Sequence, residues 1–181
     1  MRIISGTHKG RIIHPPKNLP VRPTTDFAKE SLFNILNNKV NYESLEVLDL
    51  FCGTGNISFE FLSRGCKNIT SVDMNYNCIS FVKKTAVEFG MNNLKTGKSD
   101  VFTFLKNCKH RFDIIFADPP YELAKLEDIP GIIFEKDLLQ KEGILIIEHG
   151  KDTDFSKHPF FKERRIYGNV NFSFFLLEES H

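Results

Sequence analysis

From about residue 46 onward, short apolar runs alternate with helical stretches, the pattern of a parallel sheet covered by helices on both faces. Strands are expected at 46–51, 68–73, 94–98, 112–117 and 143–149, and helices near 56–64, 76–89, 100–106 and 130–139. The ending differs. Segments 161–167 and 171–177 are parted only by Gly168-Asn169-Val170, which leaves no room for a helix, so an antiparallel hairpin is expected to close the sheet. Residues 1–14 alternate apolar with basic or polar positions around Ser5-Gly6-Thr7-His8-Lys9-Gly10, and segments 2–4 and 11–13 read as a second β-hairpin. Pro15, Pro16, Pro20 and Pro23 then make an extended connector. Thr24 or Thr25 is placed to cap a helix beginning near Asp26, with Ala28, Leu32, Ile35 and Leu36 on one face.

The predicted fold is therefore α/β: a doubly wound, Rossmann-like, mostly parallel seven-stranded sheet with an antiparallel C-terminal pair. That is the arrangement of class I methyltransferases rather than of dehydrogenases. Residues 1–40 form a small hairpin-and-helix extension, and 41–181 the main domain. With 181 residues, 41% hydrophobic and 26% charged, the chain is long enough for one full core and too short for two large domains. No apolar run approaches the length of a membrane span, and the opening Met1-Arg2-Ile3-Ile4-Ser5-Gly6 has no signal-peptide core, so a cytoplasmic protein is expected. Cys52, Cys66, Cys78 and Cys108 form no Cys-x-x-Cys pair and stand near no paired histidines, which points to free thiols and no metal site.

Charge adds an asymmetry. The net charge is only +1, but the first 25 residues hold Arg2, Lys9, Arg11, Lys17 and Arg22 and no acid, leaving 19 basic against 23 acidic residues in the rest. A basic arm on a mildly acidic body suits a polyanion at one end, although solvated surface charges would give the same count.

The candidate chemistry lies at the strand ends. Asp118-Pro119-Pro120-Tyr121 directly follows the apolar run Ile114-Ile115-Phe116-Ala117. The prolines lack N–H groups, ionised Asp118 only accepts hydrogen bonds, and Tyr121 offers a stacking face: a device for an NH₂ group on a flat ring. Alone, these four residues fit a proline-rich turn equally well. Upstream, Asp49-Leu50-Phe51-Cys52-Gly53-Thr54-Gly55 leads from a strand into a helix, so that a ligand can lie on bare backbone. Phe59 stands where a dinucleotide loop would need its third glycine, and no phosphate-loop lysine follows. Asp49 repels phosphate and suits a cation, which makes S-adenosylmethionine the more consistent ligand. Asp73 is placed for ribose hydroxyls and Asp100 for an adenine amine, though Asp100 alone also reads as a helix N-cap. Phe51, Met74 and Val101 adjoin these positions and are assigned to the same ligand.

Taken together these residues resemble the RsmD-like methyltransferases. The resemblance covers nearly the whole chain, most specifically Met1 to Gly6 with Lys9-Gly10-Arg11, then Arg22-Pro23-Thr24-Thr25-Asp26, Glu30-Ser31-Leu32-Phe33-Asn34, the loop at 49–55 with Glu60 and Ser63-Arg64-Gly65, and Asp118 to Tyr121. It implies methylation of the exocyclic N2 amine of a guanine in small-subunit ribosomal RNA; an assembling subunit is the expected setting, and a small enzyme with its site on a large RNA is expected to act as a monomer. It further implies that Asp49, Gly53, Gly55, Asp73 and Asp100 surround S-adenosylmethionine, and that Asp118, Pro119, Pro120 and Tyr121 hold the base. Arg2, Lys9, Arg11, Arg22, Thr24 and Lys29 are then the RNA contacts. Lys29 departs from the family's usual arginine and loses its bidentate fork. Two other readings stay open: an adenine-N6 methyltransferase, which shares the Asp-Pro-Pro-Tyr motif, and a non-catalytic protein that binds the cofactor and RNA.

Overall fold

Segments 114–117 and 144–147 are apolar at every position, which is what a strand buried on both faces requires. In the computed structural model, which describes residues 1–19 and 24–177, seven strands form a single sheet in the order β3-β2-β1-β4-β5-β7-β6. They are β1 (Glu46–Leu50), β2 (Asn68–Asp73), β3 (Leu94–Lys98), β4 (Phe112–Ala117), β5 (Leu139–His149), β6 (Phe161–Tyr167) and β7 (Val170–Leu176). The first five run parallel, and β7 is antiparallel to both β5 and β6, as expected. The helices are α1 (Asp26–Asn37), α2 (Asn56–Ser63), α3 (Tyr76–Glu88), α4 (Val101–Asn107) and α5 (Asp128–Glu135).

Neighbouring strand residues point to opposite layers. Val47, Ile114, Phe116 and Ile146 pack under α1, α2 and α3, where Leu32, Phe33, Phe59, Phe61 and Val82 complete one cluster. Leu48, Ile115, Ala117 and Ile147 pack under α4 and α5, against Leu105, Ile129 and Ile133. Helix α1 is thus part of the main core. Thr25 is its N-cap, its side chain accepting from the Ala28 N–H.

Three boundaries depart from the sequence reading. The N-terminal arm reverses direction, but only the Arg2–Ile12 bridge has strand geometry, flanked by bonds from Ile3 N to Arg11 O and Ile13 N to Met1 O. Gly10 N closes the turn onto Ile3 O, while other amides bond the body: Thr7 N donates to Ser63 O at 2.7 Å, and Ile4 and Ser5 N donate to Glu60. Helix α5 ends at Glu135, with Asp137 at φ 54°, so β5 starts at Leu139. A register shift against β4 between Phe112 and Ile114 absorbs the extra residues, the usual effect of a bulge. Pro20, Pro23 and the expected RNA contact Arg22 lie outside the described residues.

Candidate active site

The sheet register sets the site. Leu50 pairs with Ala117 and Ala117 with Ile147, so the next residues, Asp118 and Glu148, emerge side by side at the carboxyl rim. Pro119 has no N–H to continue the ladder, and β4 stops there. The hydroxyl of Thr24, itself 8% exposed, lies 3.0 Å from Glu148 Oε2 and 3.5 Å from Asp118 Oδ2. A hydroxyl has one proton, so it can donate to only one carboxylate at a time. Burial, reinforced by the Glu148 carboxylate, pushes the Asp118 pKa well above its ordinary value, and burial raises Glu148 too. A proton retained on one of them would donate back to Thr24 and remove the repulsion.

Tyr121 Oη donates to Glu148 Oε1 at 3.1 Å. Its ring rests on Gly150, where a Cβ would come within 3.0 Å of Cδ2, so this aromatic position depends on the glycine. Of the two proline carbonyls, that of Pro120 accepts from Leu123 N. Pro119, which is buried, keeps its carbonyl clear of that turn bond.

The cofactor end lies across β1. Phe51, Gly53 and Gly55 all have positive φ, 58°, 52° and 80°. A side chain at Gly55 would also meet Phe59 Cε2 at 2.8 Å, so only glycine lets the loop turn into α2. Asp73 accepts from Gly53 N at 2.9 Å and Asn75 N at 2.8 Å, which aims its remaining lone pairs past the loop. Asp49 is 1% exposed and bonded by Ser58 Oγ; burial, with Asp73 nearby, pushes its pKa up to about 7. Among the described residues no cation pairs with it. Two carboxylates beside a glycine turn, without Lys or Arg, fit a sulfonium, an ammonium and a ribose diol, and reject a pyrophosphate. Asp100 caps α4 through Thr103 N at 2.9 Å while remaining exposed; Val101 is buried and Met74 is 71% exposed.

Asp49 has a pH consequence. Its folded pKa lies above the unfolded value near 3.8, so its contribution to stability is full below that value and is lost as pH rises through about 7. A cationic ligand favours the ionised form. S-adenosylmethionine affinity is therefore expected to strengthen by up to about tenfold per pH unit below 7 and to level off above, with proton release in calorimetry. Asp49→Asn should flatten the profile; an unaltered slope in that variant would remove Asp49 from the site.

The arm residues divide. Arg2, Lys9 and Arg11 are exposed, Arg2 paired with Asp26 at 3.5 Å and Arg11 lying over the Phe89 ring at 4.7 Å. Lys29 corrects the expectation of an RNA contact: it is 1% exposed, with Nζ 2.6 Å from Arg2 O, 2.8 Å from Asn56 Oδ1 and 3.5 Å from Glu60 Oε2. An ammonium has three protons, and three acceptors surround this one. Thr24 likewise turns inward to the carboxylates, its carbonyl accepting from Asn56 Nδ2. Glu148 and Asn56 are the site residues that sequence reasoning missed. Glu148 was accessible to it, because it closes the apolar run 144–147 as Asp118 closes 114–117.

The family model described as conserved hypothetical protein 95 matches residues 1–176. Ribosomal RNA small subunit methyltransferase D of Haemophilus influenzae is 30% identical, over 84% of this chain and 80% of that protein. The Escherichia coli protein of the same name is 29% identical, over 82% and 74%. Among solved structures, a hypothetical protein of Thermus thermophilus, TTHA0928, superposes with a TM-score of 0.83 at 26% identity, covering 98% of this chain and 99% of that one.

Proposed function

This chain belongs to the conserved hypothetical protein 95 family, and from that premise we propose that it methylates the exocyclic N2 amine of a guanine in small-subunit ribosomal RNA, using S-adenosylmethionine. The observation that carries the reading is the acceptor cluster of half-buried Asp118, buried Glu148 and the Pro119 carbonyl at the same rim as Asp49 and Asp73. The names of the relatives supply the RNA. The exposed Arg2, Lys9 and Arg11 make the arm the RNA-facing side of the molecule, and a monomer acting in the cytoplasm on an assembling subunit is the simplest setting.

S-adenosylmethionine supplies an electrophilic methyl on a sulfonium that departs as a neutral thioether. A guanine amine is a poor nucleophile because its lone pair is delocalised into the ring. Asp118 and the Pro119 carbonyl accept its two N–H bonds, which pyramidalises the nitrogen and turns the lone pair toward the methyl. As the C–N bond forms the nitrogen becomes acidic, and its proton passes to Asp118, whose raised pKa suits it to receive one. Tyr121 holds the ring face. Alignment in a dry pocket contributes several kcal/mol to the acceleration.

Protein incubated with labelled S-adenosylmethionine and methyl-free small-subunit rRNA or particles, followed by digestion to nucleosides, tests this. N2-methylguanosine is expected. Methyladenosine would assign the motif to adenine, and absence of label would make the chain a binding protein.

A further inference from the structure

We infer that Glu148 selects guanine by accepting the N1–H of the target base while Asp118 accepts from N2. The inference rests on the guanine-N2 reading above and assigns the residue that enforces it. The two carboxylates leave adjacent strands at one register level and share the Thr24 hydroxyl, so they present acceptors side by side. The edge of guanine offers two neighbouring donors, N1–H and N2–H₂. Adenine offers an amine beside N1, which is itself an acceptor and would face a buried carboxylate.

Glu148 is 3% exposed, and the donor now on Oε1 is the Tyr121 hydroxyl, at 3.1 Å. Tyr121 is 45% exposed, so its phenol is the accessible half of that bond. In binding, the guanine N1–H takes the place of the phenol O–H on Oε1. One donor replaces another, the buried carboxylate is never left unpaired, and the freed ring can stack on the base. A base without N1–H breaks that exchange, and discrimination is steepest where a missing substrate donor strands a buried polar group.

The test uses 2-aminopurine, which keeps the N2 amine and has a bare acceptor at N1. Once the methylated nucleotide has been mapped, rRNA is assembled by ligation with guanine or 2-aminopurine at that position, and kcat/KM is measured on both. The wild type should prefer guanine by on the order of 10²-fold, the scale of a hydrogen bond to a charged group. In Glu148→Gln the amide can accept from one base or donate to the other, and the preference should fall to within a few fold. Loss of O6 in the analogue is common to both enzymes, so the change in ratio isolates N1.

Tyr121→Phe separates reading from positioning. If Glu148 reads N1–H, this variant keeps the wild-type preference; if Glu148 only anchors Tyr121, it copies Glu148→Gln and the inference is overturned. Near-equal wild-type rates on the two bases would overturn it without any variant. Methyladenosine as the wild-type product would instead remove the guanine reading itself, a failure distinguishable from the other two.

Discussion

Asp118→Ala is expected to lower turnover by on the order of 10³-fold, about 4 kcal/mol in the barrier, while leaving S-adenosylmethionine affinity within about threefold of wild type. The two effects separate because the residue stands at the end of β4, bonded by Thr24 and flanked by Glu148, whereas the glycine turn and Asp73 belong to the β1 and β2 ends. What the variant removes is an acceptor for one N–H of the amine and a proton acceptor after transfer. It also removes a half-buried carboxylate that repels Glu148, so the melting temperature should stay level or rise, as when a site strained for function is neutralised. Single-turnover rates on rRNA, calorimetric titration and a thermal melt make the comparison. Equal losses of turnover and cofactor affinity would sink the role assigned to Asp118.

The parts of the molecule that obey local rules were legible from the chain. Consecutive apolar positions in 114–117 and 144–147 mark strands buried on both faces, and the three-residue link at 168–170 forces the antiparallel end. Acids closing the strands mark the rim, because a carboxylate after an apolar run has little to do in a core. The parts that stayed hidden depend on pairings across long stretches of chain. Thr24 and Glu148 are 124 positions apart, and no spacing rule joins them. Lys29 sits in a basic, RNA-like context, yet Glu60 and two further acceptors across the fold turn its charge inward. The hairpin expected in the arm is present but short for the same reason: Glu60 and Ser63 on α2 take the amides of Ile4, Ser5 and Thr7 that a longer ladder would have used.

That competition makes Glu60 the strongest single support of the arm. It is fully buried, and its two oxygens accept from Ile4 N at 2.9 Å, Ser5 N at 3.1 Å and Arg64 Nε at 3.0 Å, with Arg64 Nη2 at 2.9 Å and Lys29 Nζ at 3.5 Å. Glu60→Ala strands the Lys29 ammonium in the interior and frees two amides, a loss expected to cost about 3–5 kcal/mol, since breaking one side of a buried pair leaves an uncompensated charge. For a chain of this size that is a fall of roughly 10 °C in melting temperature. Lys29→Met should cost less, because Glu60 keeps Arg64 and both amides and no buried charge is left alone. The loss should also reach the active site: Lys29 holds Asn56, Asn56 holds the Thr24 carbonyl, and Thr24 bonds Glu148. Faster hydrogen exchange at Ile4 and Ser5, together with a lower rate on rRNA at temperatures where the variant is still folded, is the expected signature. If Glu60→Ala costs under about 1 kcal/mol, or no more than Lys29→Met, the arm is held by its apolar contacts through Ile3 and Ile13 instead.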